Sequence, residues 1–304
     1  MPIEDLIREL LDLPKEQQVE RALALHRSLP NELDEVWNTT FGPGSLFDAW
    51  TRTTICGQVH QALAEELKST VARPGFRIVE VGGGDGKMWS RVFEGHEQGE
   101  IVVVDPVAEA IDRVRERVPE GVHVEGRVGL VQDVELPPSD ALVISLTLHH
   151  VAGRDAAERA AYGLEGPGKQ EVLEAIGRCL RPRDGFALLM EASVHCELDL
   201  APGDPVLRDN LLDSYVRRCT RSILLDVESE PDKALLHAYR GLIRHWFLGQ
   251  VAMADLPRPK RDVYELRVDQ WLDVIARSGL HTSLPRCVDD HALFHLYRLR
   301  SKNG

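Results

Sequence analysis

The sequence predicts an α/β fold: a doubly wound, mostly parallel sheet of seven strands, with a helical extension over residues 1–74 and a helical insertion over 195–265, after the fifth strand. Three observations predict it. From residue 76 to 194, short β-branched apolar runs alternate with segments of helical periodicity, the pattern of β-α-β units with right-handed crossovers. At Arg77 to Met88, R-I-V-E-V-G-G-G-D-G-K-M, an apolar run stops at a cluster of glycines where a strand must turn tightly into a helix. The longest apolar run, Ala141 to Val151, reads as a central strand, because a strand covered on both faces needs apolar side chains on both.

Taken in order, Ile3, Leu6, Ile7, Leu10 and Leu11 form one helical stripe that Pro14 ends, and a second helix follows to Ser28. Pro30 breaks the chain, Asn31 caps a helix with Leu33, Val36 and Trp37, and Phe41 to Gly44 marks the clearest interruption. A long helix from Ser45 carries Phe47, Trp50, Ile55, Val59, Leu63 and Leu67. Strands are expected at 77–81, 101–104 and 122–125, with helices at 85–94 and 107–117 between them. The fourth strand is 141–151, and Gly166-Pro167-Gly168 opens the helix with Val172, Leu173, Ile176 and Leu180. A fifth strand ends at Glu191. The insertion contains helices Val206 to Val227 and Lys233 to Ala254. The helix Glu265 to Leu280 and a closing hairpin, turning at Asp289 and Asp290, complete the pattern.

The glycine turn admits three readings that spacing separates. A P-loop needs a glycine where Val81 stands and a hydroxyl residue where Met88 stands. A G-x-G-x-x-G begun at Gly82 or Gly84 would place its third glycine at Lys87 or Trp89. The spacing that fits is E-x-G-x-G-x-G, with Glu80, Gly82, Gly84 and Gly86. It resembles the first motif of class I S-adenosylmethionine (SAM)-dependent methyltransferases, which have a Rossmann-like fold. A second strand ending in I-V-V-V-D-P supports the resemblance, because a carboxylate at that strand end, Asp105, has ribose hydroxyls to accept from. The resemblance implies SAM as cofactor, with Pro106 and Leu146 beside it. V-Q-D-V-E-L-P resembles the loop that holds the adenine amino group, which assigns that role to Asp133, with Val134 and Val107 as walls.

His149 and His150 end the fourth-strand run, where open α/β sheets place their ligands. A neutral imidazole there can take a proton from an acceptor as its methyl arrives, and of two adjacent side chains one must point away. Glu191 reaches the same end of the sheet and either binds substrate or pairs with an arginine. His245, with Tyr239, Arg240, Arg244 and Trp246, supplies charged and aromatic surface in the insertion, read as a lid or a homodimer surface. The extension is read as covering the cofactor, as a dimer contact or as a packing appendage. The catalytic candidates are therefore His149, His150, Glu191 and His245, without a metal, since adjacent histidines lack the spacing of a metal-binding helix.

Composition narrows the partners. A net charge of −13 argues against a nucleic-acid backbone, and no apolar stretch approaches a membrane span. Five scattered cysteines without C-x-x-C spacing suit a reducing cytoplasm. The expectation is a cytoplasmic SAM-dependent methyltransferase acting on a small hydroxy, keto-acid or amine acceptor. A SAM-binding regulatory module and a protein or RNA methyltransferase are the alternatives.

Overall fold

The computed structural model describes residues 2–29, 45–151, 167–194, 200–257, 266–283 and 285–301. The expected features at Pro30 to Gly44, Gly166 and Glu265 lie outside the described residues. The chain forms two compact units, Met1–Gly57 with Val194–Arg261, and Gln58–Ser193 with Asp262–Gly304. The division falls inside the helix Thr54–Val71.

The second unit is built on a sheet of β1 Arg77–Val81, β2 Gly99–Asp105, β3 Val122–Val128, β4 Ala141–Ser145, β5 Phe186–Ala192, β6 Leu280–Thr282, β7 Arg286–Cys287 and β8 Phe294–Ser301. Its order is β3-β2-β1-β4-β5-β8-β6, with β7 also paired to β8. The first five strands run parallel, and the last three are antiparallel to their neighbours. Eight strands form rather than seven, because the closing hairpin includes the two-residue β7. The chain winds outward from β1 to β3 and returns to β4 on the other side of β1, so a topological switch point opens between β1 and β4 at their carboxyl ends.

The central strands are apolar because helices cover both faces. Ile78, Val79, Ala141, Leu142 and Val143 are wholly buried. β3 runs three residues further than expected, through Gly126, Arg127 and Val128, because its seven residues stay in register with β2. The fourth strand is shorter than the apolar run suggested. Its last ladder bond is Leu146 N–H to the Met190 carbonyl, Leu146 turns to a left-handed φ of 50°, and Leu148–His150 form a single 3₁₀ turn.

The first unit is helical. Ile3–Asp12 and Lys15–Ser28 match the two expected stripes and bury Ile7, Leu10 and Leu25. The two insertion helices are not regular throughout, since π-helical turns occupy Leu212–Arg217 and Ile243–Leu248. Asp204 and Asp232 cap the starts of Pro205–Leu211 and Lys233–Leu242 with their carboxylates. Extension and insertion are joined within this unit by polar contacts. Arg240 pairs with Glu4, Arg244 donates to the Leu29 carbonyl at 2.5 Å, and Asp226 accepts from the Thr54 hydroxyl and amide. Trp50 meets Trp246 edge to face, with centroids 4.3 Å apart.

Candidate functional site

The glycine loop is shaped by its neighbours. Gly82, Gly84 and Gly86 all have φ between 54° and 83°, where a side chain is strained. A Cβ at Gly82 would lie 2.1 Å from Thr147 Oγ1, and one at Gly86 would lie 2.9 Å from the Arg113 carbonyl oxygen and Val114 Cα. Gly82 therefore lets the loop touch the turn after β4, and Gly86 lets the helix Lys87–Val92 pack on Ala108–Arg117.

Two acids flank the loop. Asp105 is 8% exposed, with Oδ2 accepting from Gly83 N–H at 2.9 Å and Oδ1 from Val107 N–H at 2.7 Å. Burial pushes its pKa up, while amide bonds from Val107, Gly83 and Gly84 draw it back. Glu80 is 4% exposed and accepts from Trp89 Nε1 at 2.6 Å. Burial holds its pKa well above the usual carboxylate range, and the negative charges of Asp105 and Asp85 add to the effect against the Trp89 bond.

Beyond the acids, the carboxyl ends of β2 and β3 expose apolar side chains, Val107, Val128 and Leu130. Asp133 stands exposed on the 3₁₀ turn Val131–Asp133, Pro106 is exposed, and Val134 and Leu146 are partly buried.

The turn after β4 is organised by one carboxylate. Glu191, wholly buried in β5, receives at Oε1 the backbone N–H groups of Thr147, Leu148 and His149, at 3.1, 2.6 and 3.3 Å. Its Oε2 lies 2.6 Å from His149 Nδ1. The partner of Glu191 is thus a histidine and its own turn, where the sequence had suggested substrate or an arginine. These bonds also end β4 at Ser145, because the amides that would continue the ladder are turned onto Glu191. The two histidines separate: His149 is 6% exposed, His150 is exposed, and their ring centroids lie 4.1 Å apart. A carboxylate facing Nδ1 selects the tautomer with its proton there, which leaves Nε2 as the basic nitrogen.

Three residues that sequence reasoning missed support this arrangement: Trp89 on Glu80, Thr147 against Gly82, and Lys169. Lys169 is 1% exposed and donates from Nζ to the Val151 carbonyl at 2.7 Å, at the end of the histidine turn. Only the buried lysine inside a helix signal could have drawn notice. His245 belongs to the first unit, in the π-helical turn. Among the described residues no three His, Cys, Asp or Glu side chains are grouped to hold a metal.

Residues 78–183 match a family model described as a methyltransferase domain. Curated proteins searched by sequence give no match. Among solved structures, the N-methyltransferase NodS from Bradyrhizobium japonicum WM9, in complex with S-adenosyl-L-homocysteine, aligns with a TM-score of 0.50 at 11% identity, over 90% of this chain and all of that one. An O-methyltransferase family 2 protein from Planctomyces limnophilus DSM 3776, in complex with apigenin, aligns at 0.43 and 14% identity, over 80% of this chain. The chain spans 62% of that protein's length.

Residues 78–183 thus carry a methyltransferase domain, on a Rossmann-like sheet whose first turn is the glycine loop, and the resemblance to class I SAM-dependent methyltransferases rests on that match and that loop. SAM is the cofactor of that class, and the residues present fit it. Gly82 and Gly86 leave no room for a side chain, Asp105 retains acceptor capacity on both oxygens, and exposed Val107, Val128 and Leu130 offer an apolar face to a flat ring.

Proposed function

We propose that this protein methylates a small-molecule acceptor, with His149 as the general base. The observation that carries the reading is the buried Glu191–His149 pair at 2.6 Å. Glu80, Gly82, Gly84 and Gly86 would surround the amino-acid end of the cofactor, Asp105 with Pro106 the ribose, and Asp133, Val134 and Leu146 the adenine. Bound SAM supplies a methyl group that its sulfonium makes electrophilic.

The chain's own residues then manage the proton. His149 Nε2 would take the proton of an acceptor hydroxyl as that oxygen receives the methyl group the cofactor supplies. Glu191 holds Nδ1–H and stabilises the imidazolium that results, as a buried carboxylate does in other acid–base pairs. The three amides on Oε1 keep the turn from rotating, so the ring is aimed before the acceptor arrives.

A small acceptor is supported by the net charge of −13, which repels phosphate backbones. A reducing cytoplasm is supported by the free thiols Cys56, Cys179, Cys219 and Cys287. His245 is retained as a candidate acceptor contact, to be scored by its effect on acceptor KM. The test is a methylation screen of small hydroxy acids, phenols and amines with wild type and His149→Gln. Turnover of a small hydroxyl compound that His149→Gln loses supports the reading. Turnover only on peptides or RNA overturns it.

A further inference from the structure

Among the described residues, Glu80 is a buried acid without a cation paired to it. Among the described residues its hydrogen-bond partner is the neutral Trp89 Nε1, from the helix Lys87–Val92. Its strand neighbours in register are Val103 on β2 and Val143 on β4, both wholly buried and apolar. The charges that act on it are two further carboxylates, Asp105 from the end of β2 and Asp85 from the glycine loop. The cation Lys87 pairs with Asp85, its Nζ 3.3 Å away, and the charge of Asp85 also acts on His60. Taking a lone carboxylate out of water beside two like charges favours its neutral form, and this agrees with the raised pKa of Glu80.

Resting on the SAM reading of this loop, we propose that Glu80 is protonated in the cofactor-free protein and that arrival of the cationic cofactor discharges its proton to solvent. SAM carries an ammonium, a carboxylate and a sulfonium, a net single positive charge, which it brings beside three acids, Glu80, Asp85 and Asp105. The ionised form of Glu80 then has the partner that the protein itself does not provide. Methyl transfer removes the sulfonium charge, so S-adenosyl-L-homocysteine (SAH) supports ionisation less well, and Glu80 regains its proton as product leaves. Proton return thus weakens the hold on the spent cofactor. The sign is fixed: a group whose pKa falls on binding releases a proton, and affinity rises with pH until the free-state group has titrated.

The experiment is titration calorimetry of the full-length protein with SAM and with SAH near neutral pH, in phosphate and in Tris, buffers of low and high ionisation heat. The expected result is a binding heat that differs between buffers, with about half a proton or more released per SAM and less per SAH. Glu80→Gln removes the carboxylate that pairs with the cation, so it should bind SAM more weakly, and the heat that remains should be the same in both buffers. His60→Gln, which removes a titratable imidazole that interacts with Asp85, should keep the buffer dependence. Buffer-independent heats in wild type, or release that persists in Glu80→Gln, overturn the proposal. Should Glu80→Gln fail to fold, wild-type SAM affinity decides: it must tighten as pH rises, and a flat profile overturns the proposal. No heat from either ligand would remove the cofactor site itself, a failure distinct from buffer-independent binding.

Discussion

A single carboxylate, Glu191, receives four hydrogen bonds, three from consecutive amides and one from the His149 ring. An amide in its place has one acceptor and one donor end, so it cannot accept at both. In Glu191→Gln either the backbone bonds or the Nδ1 proton must be surrendered, and the ring is then free to carry its proton on Nε2. kcat should fall by roughly 10²- to 10⁴-fold with SAM affinity nearly unchanged, and stability by about 1 to 3 kcal/mol. Initial rates and calorimetry on the same sample check this, and near-normal kcat would show that proximity alone carries the transfer. Asp105→Ala should behave in the opposite way. Loss of two ribose bonds should weaken SAM binding by roughly 2 to 3 kcal/mol, and unchanged affinity would mean that the ribose lies elsewhere. The two acids also differ in how readable they were. Asp105 ends a strand directly beside the glycine loop, so local spacing marks it. Glu191 lies 42 residues from His149, and no local rule pairs them.

At the scale of elements, the glycine loop and the histidine turn meet at Gly82 and Thr147. Gly82→Ala adds a methyl where φ is 83° and Thr147 Oγ1 already occupies the space. The strain should cost about 1 to 3 kcal/mol, and because Thr147 donates its N–H to Glu191, kcat should fall together with SAM affinity. The double change Gly82→Ala with Thr147→Gly relieves the overlap but not the φ strain, so it should restore only part of the loss in thermal stability. Full additivity of the two single changes would sink the idea that the loops press on one another. The end of β4 shows what pattern reading misses. Leu146, Leu148 and Val151 extend the apolar run, yet the strand stops because a residue far along the chain claims the next amides. The π-helical turns were likewise invisible, since an apolar stripe reads as helix whether a turn closes at four residues or five.

For the whole molecule, the strand order followed from alternation and handedness, which are local and general. The first unit did not, because it is assembled from two segments separated by the entire first half of the sheet. Acid stability is the property in which contributions from across the second unit add. Burial lowers the pKa of His60 from 6.5 to about 4, with Asp85 opposing and Arg91 and Lys87 assisting, and burial also lowers that of His295. Between those two limits the unfolded chain binds more protons at His60 than the folded one, so its contribution is constant above 6.5 and is lost as pH falls toward 4. Glu80 has the reverse sign: its burial cost is absent below 4.5 and grows as pH rises toward its raised folded value. His60→Gln should therefore flatten the acid limb of the stability curve, sparing about 2 kcal/mol of the loss, since the ring keeps some contact with solvent. His295→Gln should act in the same direction, and Glu80→Gln should raise stability at neutral pH while changing little at pH 4.5. Urea unfolding from pH 7 to 4.5 measures all three. Curves for His60→Gln that run parallel to wild type would show that the imidazole takes up its proton in the folded protein without cost, and the buried-base account of acid instability would then be wrong.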